Sequence, residues 1–289
     1  MKALSFKVPK TKDESVRIQV DHQPYFYDSF HYHPEIQISY VFNGTGTRII
    51  GNSVGRFNKN ELYIIGSNIP HIFKSDRIYY ENSSELSHAI SFYFTENALG
   101  EEFFNLPEAL EINGLLSNSK KVVFINGSDV EKLKGDFFKI AEVQGFEKLN
   151  LFLHILYKLS KIKDQQLLSK TKYEQRNTEK YGKRINDIFD FVINNYEKSI
   201  SLDKAAEIAN LSTTAFCRFF KERTRKSFTE FVNEVRIGEA CKLLMNNDFN
   251  ISQICYEVGF NNISNFNRKF KEITKLTPKE YRLTFSRDS

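Results

Sequence analysis

The feature that most constrains this 289-residue chain is a repeat in its C-terminal third. Residues 202–211 (LDKAAEIANL) match residues 251–260 (ISQICYEVGF) at an offset of 49, apolar on apolar at every core position. Asn210 and Gly259 fall together where a tight left-handed turn is needed. After one extra residue, Phe216-Cys-Arg218-Phe-Phe220-Lys221-Glu222 matches Phe266-Asn-Arg268-Lys-Phe270-Lys271-Glu272 at an offset of 50. Each unit is predicted to be a helix, a short turn and a second helix, the arrangement that puts a recognition helix into the major groove of DNA. Any two amphipathic helices joined by a turn give such a pattern once. Two copies, both with arginine at the same place, are a stronger sign. Each also leads into a basic tail: Lys221, Arg223, Arg225 and Lys226, then Lys271, Lys275, Lys279 and Arg282. Phosphate-facing cations of this kind supply sequence-independent affinity for nucleic acid, although for any single lysine a solvated face is the alternative. Phe216, Phe220, Phe266 and Phe270 recur at helical spacing and are expected in the core.

The length suits two domains, each able to bury a core. Hydrophobic residues at 40% and charged residues at 27% exclude a disordered or fibrous chain. The net charge of +5 permits an anionic partner. From about residue 15 to residue 95, runs rich in Ile, Val, Tyr and Phe (17–20, 35–42, 48–50, 61–65, 88–94) alternate with turn signals. From Glu96 the periodicity becomes helical: short helices near Glu101–Phe104 and after Pro107, a capping box Ser128-x-x-Glu131 opening a helix to about Val143, and a helix from about Phe146 to Ile162. The last carries Leu149, Phe152, Leu153, Leu156 and Leu159 on one face, which fits packing on its own sheet or pairing with a second subunit as a homodimer. The stretch from Lys163 to Lys183 is polar and basic, as a linker would be. The expected fold is two-domain α+β: a sheet-rich domain with accessory helices over residues 1–165, a linker over 166–183, and an all-α domain over 184–289.

The N-terminus lacks the apolar core of a signal peptide, and no stretch approaches the roughly 18–20 apolar residues of a membrane helix. A cytoplasmic protein without a membrane partner is expected. Cys217, Cys241 and Cys255 have no paired spacing, so each is expected as a small buried apolar residue.

The residues Arg236-Ile-x-x-Ala240-x-x-Leu243-Leu244, Ile251-Ser-x-Ile-Cys-Tyr-Glu-Val-Gly-Phe260, Asn265-Phe-x-Arg-x-Phe-Lys271 and Thr277-Pro-x-x-Tyr-Arg282 resemble the AraC-type family of bacterial transcription regulators. The resemblance covers about Arg184 to Arg282. It implies two helix-turn-helix units bridged by a long helix, Phe228–Met245, and facing one side of a double-stranded DNA operator. Recognition helices so placed enter adjacent major grooves ~34 Å apart. Carried over residue by residue, the family's base-reading positions are Thr213, Thr214, Cys217 and Arg218 in the first recognition helix, with Lys221 following. In the second they are Ile263, Ser264, Asn267 and Arg268, with Lys271 following. Arg218 and Arg268 lead, because arginine pairs with guanine in bidentate fashion, although either suits a phosphate as well. Cys217 departs from the polar reader usual in the family.

In the N-terminal half, His31-Tyr-His33-Pro-Glu35-Ile-Gln37-Ile-Ser39 alternates polar with apolar, so in a strand the polar residues share one face. With Gly44-x-Gly46 and Gly66-Ser-Asn-Ile-Pro70-His71, this resembles the small β-barrel called a cupin over about residues 17–95. Cupin enzymes hold a metal through His-x-His, a following Glu and a later His. Here Gln37 and Ile38 stand at the expected Glu positions, and an amide is the weaker ligand, which argues for a metal-free pocket with no cofactor. If the polar face lines the barrel, His31, His33, Glu35, Arg48 and His71 would bind a small polar effector. The family resemblance implies a sugar or a related metabolite. Alternation alone does not say which face points inward.

These features together describe an effector-responsive transcription regulator rather than an enzyme, with RNA polymerase as a possible further contact. A metal-dependent cupin enzyme fused to a DNA-binding module is the alternative. An alkyl-transfer repair regulator would need a nucleophilic cysteine outside the helix-turn-helix units, and residues 1–216 hold none.

Overall fold

A computed structural model describes residues 4–5, 8, 14–81, 85–169, 182–224, 226–245 and 249–285. The chain divides into two units, the larger holding residues 3–53 and 57–180, the smaller residues 181–289 with the segment 54–56. Among the described residues no helix is long and apolar enough to cross a membrane.

The N-terminal strands are β1 (Leu4–Ser5), β2 (Arg17–Gln23), β3 (His31–Tyr32), β4 (Ile36–Asn43), β5 (Gly46–Ile50), β6 (Ser53–Phe57), β7 (Glu61–Ile65), β8 (His71–Ser75), β9 (Ser87–Phe94), β10 (Val123–Asn126) and β11 (Gln166–Leu167). They form one sheet in the order β1-β3-β8-β5-β6 and another in the order β11-β10-β7-β4-β9-β2. The expected barrel is therefore two sheets that do not close on each other. Strand β4 sits inside the second sheet and is buried on both faces, which is why its sequence is so apolar. Ile36, Ile38 and Tyr40 pack against helices, in one core with Phe137, Phe152, Ile155 and Leu159. Val41, on the opposite face, joins Ile50, Phe57, Tyr63 and Ile65 in a core that draws on both sheets. The polar face of β4, with Gln37 and Ser39, thus points between the sheets.

The accessory helices are α1 (Leu110–Ser119), α2 (Ser128–Glu131), α3 (Lys134–Glu142) and α4 (Gly145–Lys161), preceded by single 3-10 turns at Phe103–Asn105 and Pro107–Ala109. Three expectations change here. Gly127, at φ 80°, is the N-cap of α2, so Ser128 lies inside the helix and no side chain caps it. The apolar face of α4 is used within its own domain: Phe152, Ile155, Leu156 and Leu159 are fully buried, with Leu149 and Leu153 packed against the same core. The start of the expected linker is strand: β11 pairs antiparallel with β10, and the amides of Leu168 and Ser169 donate to the carbonyls of Val122 and Lys121. Residues 170–181 of that linker lie outside the described residues.

The C-terminal unit is helical: α5 (Gly182–Ile193), α6 (Leu202–Ile208), α7 (Thr213–Thr224), α8 (Phe228–Met245), α9 (Ile251–Glu257), α10 (Ile263–Thr274) and α11 (Pro278–Phe285). Helix α8 has the span expected of the bridging helix. Asn210 at φ 51° and Gly259 at φ 86° make the two left-handed turns. Phe216, Phe220, Phe266 and Phe270 are fully buried. The first pair meets Phe228, and the second pair continues to Phe260 through Phe266 and to Tyr281 through Phe270. Arg236 of α8 donates from Nε to the Tyr196 carbonyl (2.8 Å) and from Nη2 to the Lys198 carbonyl (2.9 Å), tying α8 to the segment after α5.

Candidate nucleic-acid interface and effector cavity

The two recognition helices, α7 and α10, present the sequence-assigned residues in matching ways. At the first helical position of each, the side chain turns back into its own unit. Thr213 donates its hydroxyl to Asp203 Oδ1 (2.8 Å), and half-buried Ile263 packs on the core of the second unit. A polar bond at one and apolar packing at the other therefore hold equivalent positions, and both side chains are half-buried. The other eight, Thr214, Cys217, Arg218, Lys221, Ser264, Asn267, Arg268 and Lys271, are exposed. Cys217 thus corrects the expectation of three buried cysteines, whereas Cys241 and Cys255 are buried as expected. Burial pushes the Cys241 thiol up to about 12, which leaves it inert.

Arg218 and Arg268 differ in their surroundings. Arg268 pairs with Glu272 (2.7 Å) and donates to Asn265 Oδ1 (2.8 Å). Arg218 makes no ion pair among the described residues. Of the basic tails, two members are structural. Lys226 grips both carboxylate oxygens of Glu234, and Arg282 donates to the Phe249 carbonyl (2.6 Å). Arg225 and the side chain of Arg223 lie outside the described residues.

The N-terminal unit contains a cavity of about 450 Å³. That is within the size range of small-molecule sites. Strand β2 contributes Gln19 and Asp21, β4 contributes Gln37 and Ser39, β9 contributes Ser91 and Tyr93, and β8 contributes His71 and Phe73. The segment between β2 and β3 adds Tyr25, Phe26, Tyr27 and Asp28. Of the five effector residues assigned from sequence, His31 and His71 line this cavity. His33 lies behind them and Glu35 faces His33. Arg48 stands elsewhere, donating to Ser53 Oγ (3.1 Å) and lying 5.5 Å from the Tyr63 ring centre and 5.8 Å from that of Phe124. The sequence alternation placed His31 to Ser39 in one strand, but the chain bends at His33–Glu35, leaving one sheet at β3 and entering the other at β4. Sequence reasoning missed Gln19, Asp21, Tyr25, Tyr27, Asp28 and Tyr93. The polar alternation Gln19, Asp21, Gln23 within β2 was the available signal.

The three histidines gather from these two places. Ring centres lie 4.3 Å apart for His31 and His71, 5.2 Å for His33 and His71, and 5.9 Å for His31 and His33. Burial keeps all three neutral near pH 7: it pushes His31 down to about 4 and holds His33 below and His71 well below the usual imidazole range. His71 donates from Nδ1 to the Ile69 carbonyl, and His31 from Nδ1 to the Ser29 carbonyl, both at 2.8 Å. That fixes the tautomer and makes Nε2 the acceptor. His71 Nε2 is buried without a hydrogen-bond partner.

The cupin resemblance implies a metal at these rings, and their nearest donor atoms do lie within 4.8 Å of one another. The donor chemistry does not fit a resident ion. Nε2 of His33 lies against Gln37 Oε1 (3.0 Å) and Nδ1 against the Glu35 carbonyl (3.1 Å), so both nitrogens are taken up by protein oxygens, and the neutral ring donates its single proton to one of the two. Gln37 is itself committed, donating to Ser39 Oγ (2.7 Å), which meets Ser91 Oγ (2.7 Å). Two imidazoles without a carboxylate are an incomplete ligand set.

A helix-turn-helix domain family model matches residues 205–284. An uncharacterized HTH-type transcriptional regulator encoded in the cgkA 5' region of Pseudoalteromonas carrageenovora is 36% identical over 96 residues. The match covers 33% of this chain and 57% of that protein, so the chain spans little more than half of that relative's length. The HTH-type transcriptional activator RhaS of Mannheimia succiniciproducens is 25% identical over 256 residues, 88% of each chain. Among solved structures, ToxT of Vibrio cholerae O395 aligns over 94% of this chain and 98% of its own, at 16% identity and a TM-score of 0.37. These named relatives are regulators of transcription and not enzymes. The match falls on the repeat itself, from Ala205 in α6 to Thr284 in α11. Residues 205–284 of this chain therefore form a helix-turn-helix domain of the AraC type.

Proposed function

We propose that this chain acts in the cytoplasm as a sequence-specific DNA-binding regulator whose N-terminal unit binds a small polar effector, a sugar or a related metabolite. The observation that carries the DNA-binding half is the exposed guanidinium at the same position of two repeated recognition helices, Arg218 and Arg268. Each would pair with a guanine edge, while Lys221 and Lys271 sit one turn further along for phosphates. Two units in one chain make the site asymmetric, and no second subunit is needed to read it. The effector half rests on the cavity between the sheets, which has His31, His71, Gln37 and Asp21 in its wall.

Selection of bound sequences from random duplex DNA, at two salt concentrations, tests this function. The expected result is an enriched motif with two blocks about ten base pairs apart that survives at the higher salt. Binding that enriches nothing and vanishes as salt rises would refute sequence-specific recognition.

A further inference from the structure

We infer that the effector of this cavity carries a protonated amine: the wall offers carboxylates, a buried imidazole acceptor and aromatic faces, and no cation of its own. This rests on the effector function proposed above and narrows it by charge.

Two acids, Asp21 and Asp28, line the cavity, and no lysine or arginine does so among the described residues. Asp21 Oδ1 accepts from Gln19 Nε2 (2.8 Å), a neutral amide that leaves the charge uncompensated. Burial raises the Asp21 pKa, as expected of a carboxylate that lacks a cationic partner. An incoming ammonium would supply that partner. The second, independent sign is His71. It is 1% exposed, its Nδ1 is fixed as donor to Ile69, and its Nε2 lone pair has no partner. A buried acceptor of that kind calls for a ligand N–H or O–H. A carboxylate or phosphate would instead place negative charge against an imidazole lone pair and two acids.

The aromatic residues act in the same direction. Tyr25, Tyr27, Phe73 and Tyr93 surround the space, and Tyr25 stacks on Tyr80 with ring centres 4.3 Å apart, which stiffens that wall. Ring faces attract a desolvated cation and are neutral toward an uncharged polyol.

Two triads of matched skeleton and different charge test the inference on the full chain by calorimetry: glucosamine, glucose and gluconate; and tyramine, tyrosol and 4-hydroxyphenylacetate. The expected result is that in at least one triad the amine binds about tenfold or more tightly than its neutral partner, a gap of about 1.4 kcal/mol. Asp21→Asn, which keeps shape and size, should reduce that preference to about threefold or less. Asp28→Asn provides a second charge-neutral variant should the first fold poorly. Tighter binding of a neutral or acidic member overturns the amine assignment and leaves the effector function standing. Binding of none of the six also overturns it. The effector function itself fails only if a deproteinised metabolite extract, too, leaves the melting temperature of the chain unchanged.

Discussion

The two helix-turn-helix units share a frame and differ in how firmly each part is set. Unit one (α6, α7) turns on Asn210, starts α6 with a single bond from the Lys204 amide to Ser201 Oγ (3.0 Å), and leaves Arg218 without an ion pair among the described residues. Unit two (α9, α10) turns on Gly259, starts α9 with a reciprocal capping box between Asn250 and Gln253, and holds Arg268 between Asn265 and Glu272. The same topology is thus rigid in one copy and looser in the other. On the proposed function, unit two loses little freedom on meeting DNA, whereas unit one orders Arg218 on contact.

The largest expected effect tests what the two units share. On the proposed function, replacing both Arg218 and Arg268 by alanine removes two bidentate base contacts, each worth about 1–3 kcal/mol of discrimination. Binding to the selected operator, read by fluorescence anisotropy, should weaken by on the order of 100-fold or more. Retention of specific binding at physiological salt would show that neither arginine reads a base.

The second effect separates the two turns. At Gly259 an added Cβ would lie 2.4 Å from the Tyr196 carbonyl oxygen and 2.9 Å from that of Glu197. The Tyr196 oxygen is also the one that accepts from Arg236. Gly259→Ala should therefore cost about 3 kcal/mol or more, through left-handed strain, collision and a disturbed Arg236 bond. Asn210→Ala meets only the left-handed penalty, about 1 kcal/mol. Denaturant unfolding of the full chain compares them, and equal costs would contradict the close approach at Gly259.

The ease with which the two halves of the chain are read from sequence follows from the same physics. In the C-terminal unit, repetition doubles every signal: helix spans, both left-handed turns, the core phenylalanines and the exposed arginines all follow from aligning 202–224 with 251–274. What the alignment hid was that the first helical position is held within its own unit, Thr213 by a bond to Asp203 and Ile263 by packing on the core. In the N-terminal unit each element occurs once. Strands β6 and β8 are short, and β10 is a brief apolar run, Val123–Ile125, inside a helical stretch. Pro34 lies at the bend that splits His31 from Gln37, and pattern alone does not reveal that the chain changes sheets there. Arg48 shares an inward face with the cavity residues but is drawn off by Tyr63 and Ser53. Of the cavity's two acids, Asp21 was legible as alternation in β2, but only the topology shows that β2 borders β9 and that its polar face meets His71 across the space.

A third, smaller effect concerns the first helix of each unit. Asn250→Ala breaks one arm of a capping box, in which the Gln253 amide donates to Asn250 Oδ1 and the Asn250 amide to Gln253 Oε1, both at 2.9 Å. Ser201→Ala removes a lone bond. Each cap is worth about 0.5–2 kcal/mol, with the box expected at the upper end and Ser201 at the lower. Hydrogen exchange at the amides of α6 and α9 reports the two losses separately. A greater loss of protection in α6 would reverse the assignment of the more firmly set unit.

The smallest effect decides whether the restraint on Arg268 helps or hinders. Glu272 is exposed, and its carboxylate lies below the usual range because Lys269 hydrogen-bonds to it, with Arg268 as the second donor. It therefore stays ionised on the face that would meet phosphates, where its charge opposes the backbone of the DNA. Its hold on Arg268 works the other way, fixing the guanidinium along α10 between Glu272 and Asn265. Glu272→Gln removes the charge and keeps a side chain of the same length. If repulsion dominates, operator affinity rises about twofold at low salt, and the gain fades as added salt screens it. If preorganisation dominates, affinity falls at every salt concentration, and the loss is confined to operators that carry the guanine read by Arg268. The second outcome is expected, because Asn265 and Glu272 fix the fork of Arg268 from both sides and a bidentate contact depends on that geometry. A uniform gain across all sequences would instead make Glu272 a brake on unspecific binding, and the firmness of unit two would then be a property of its turn and cap alone.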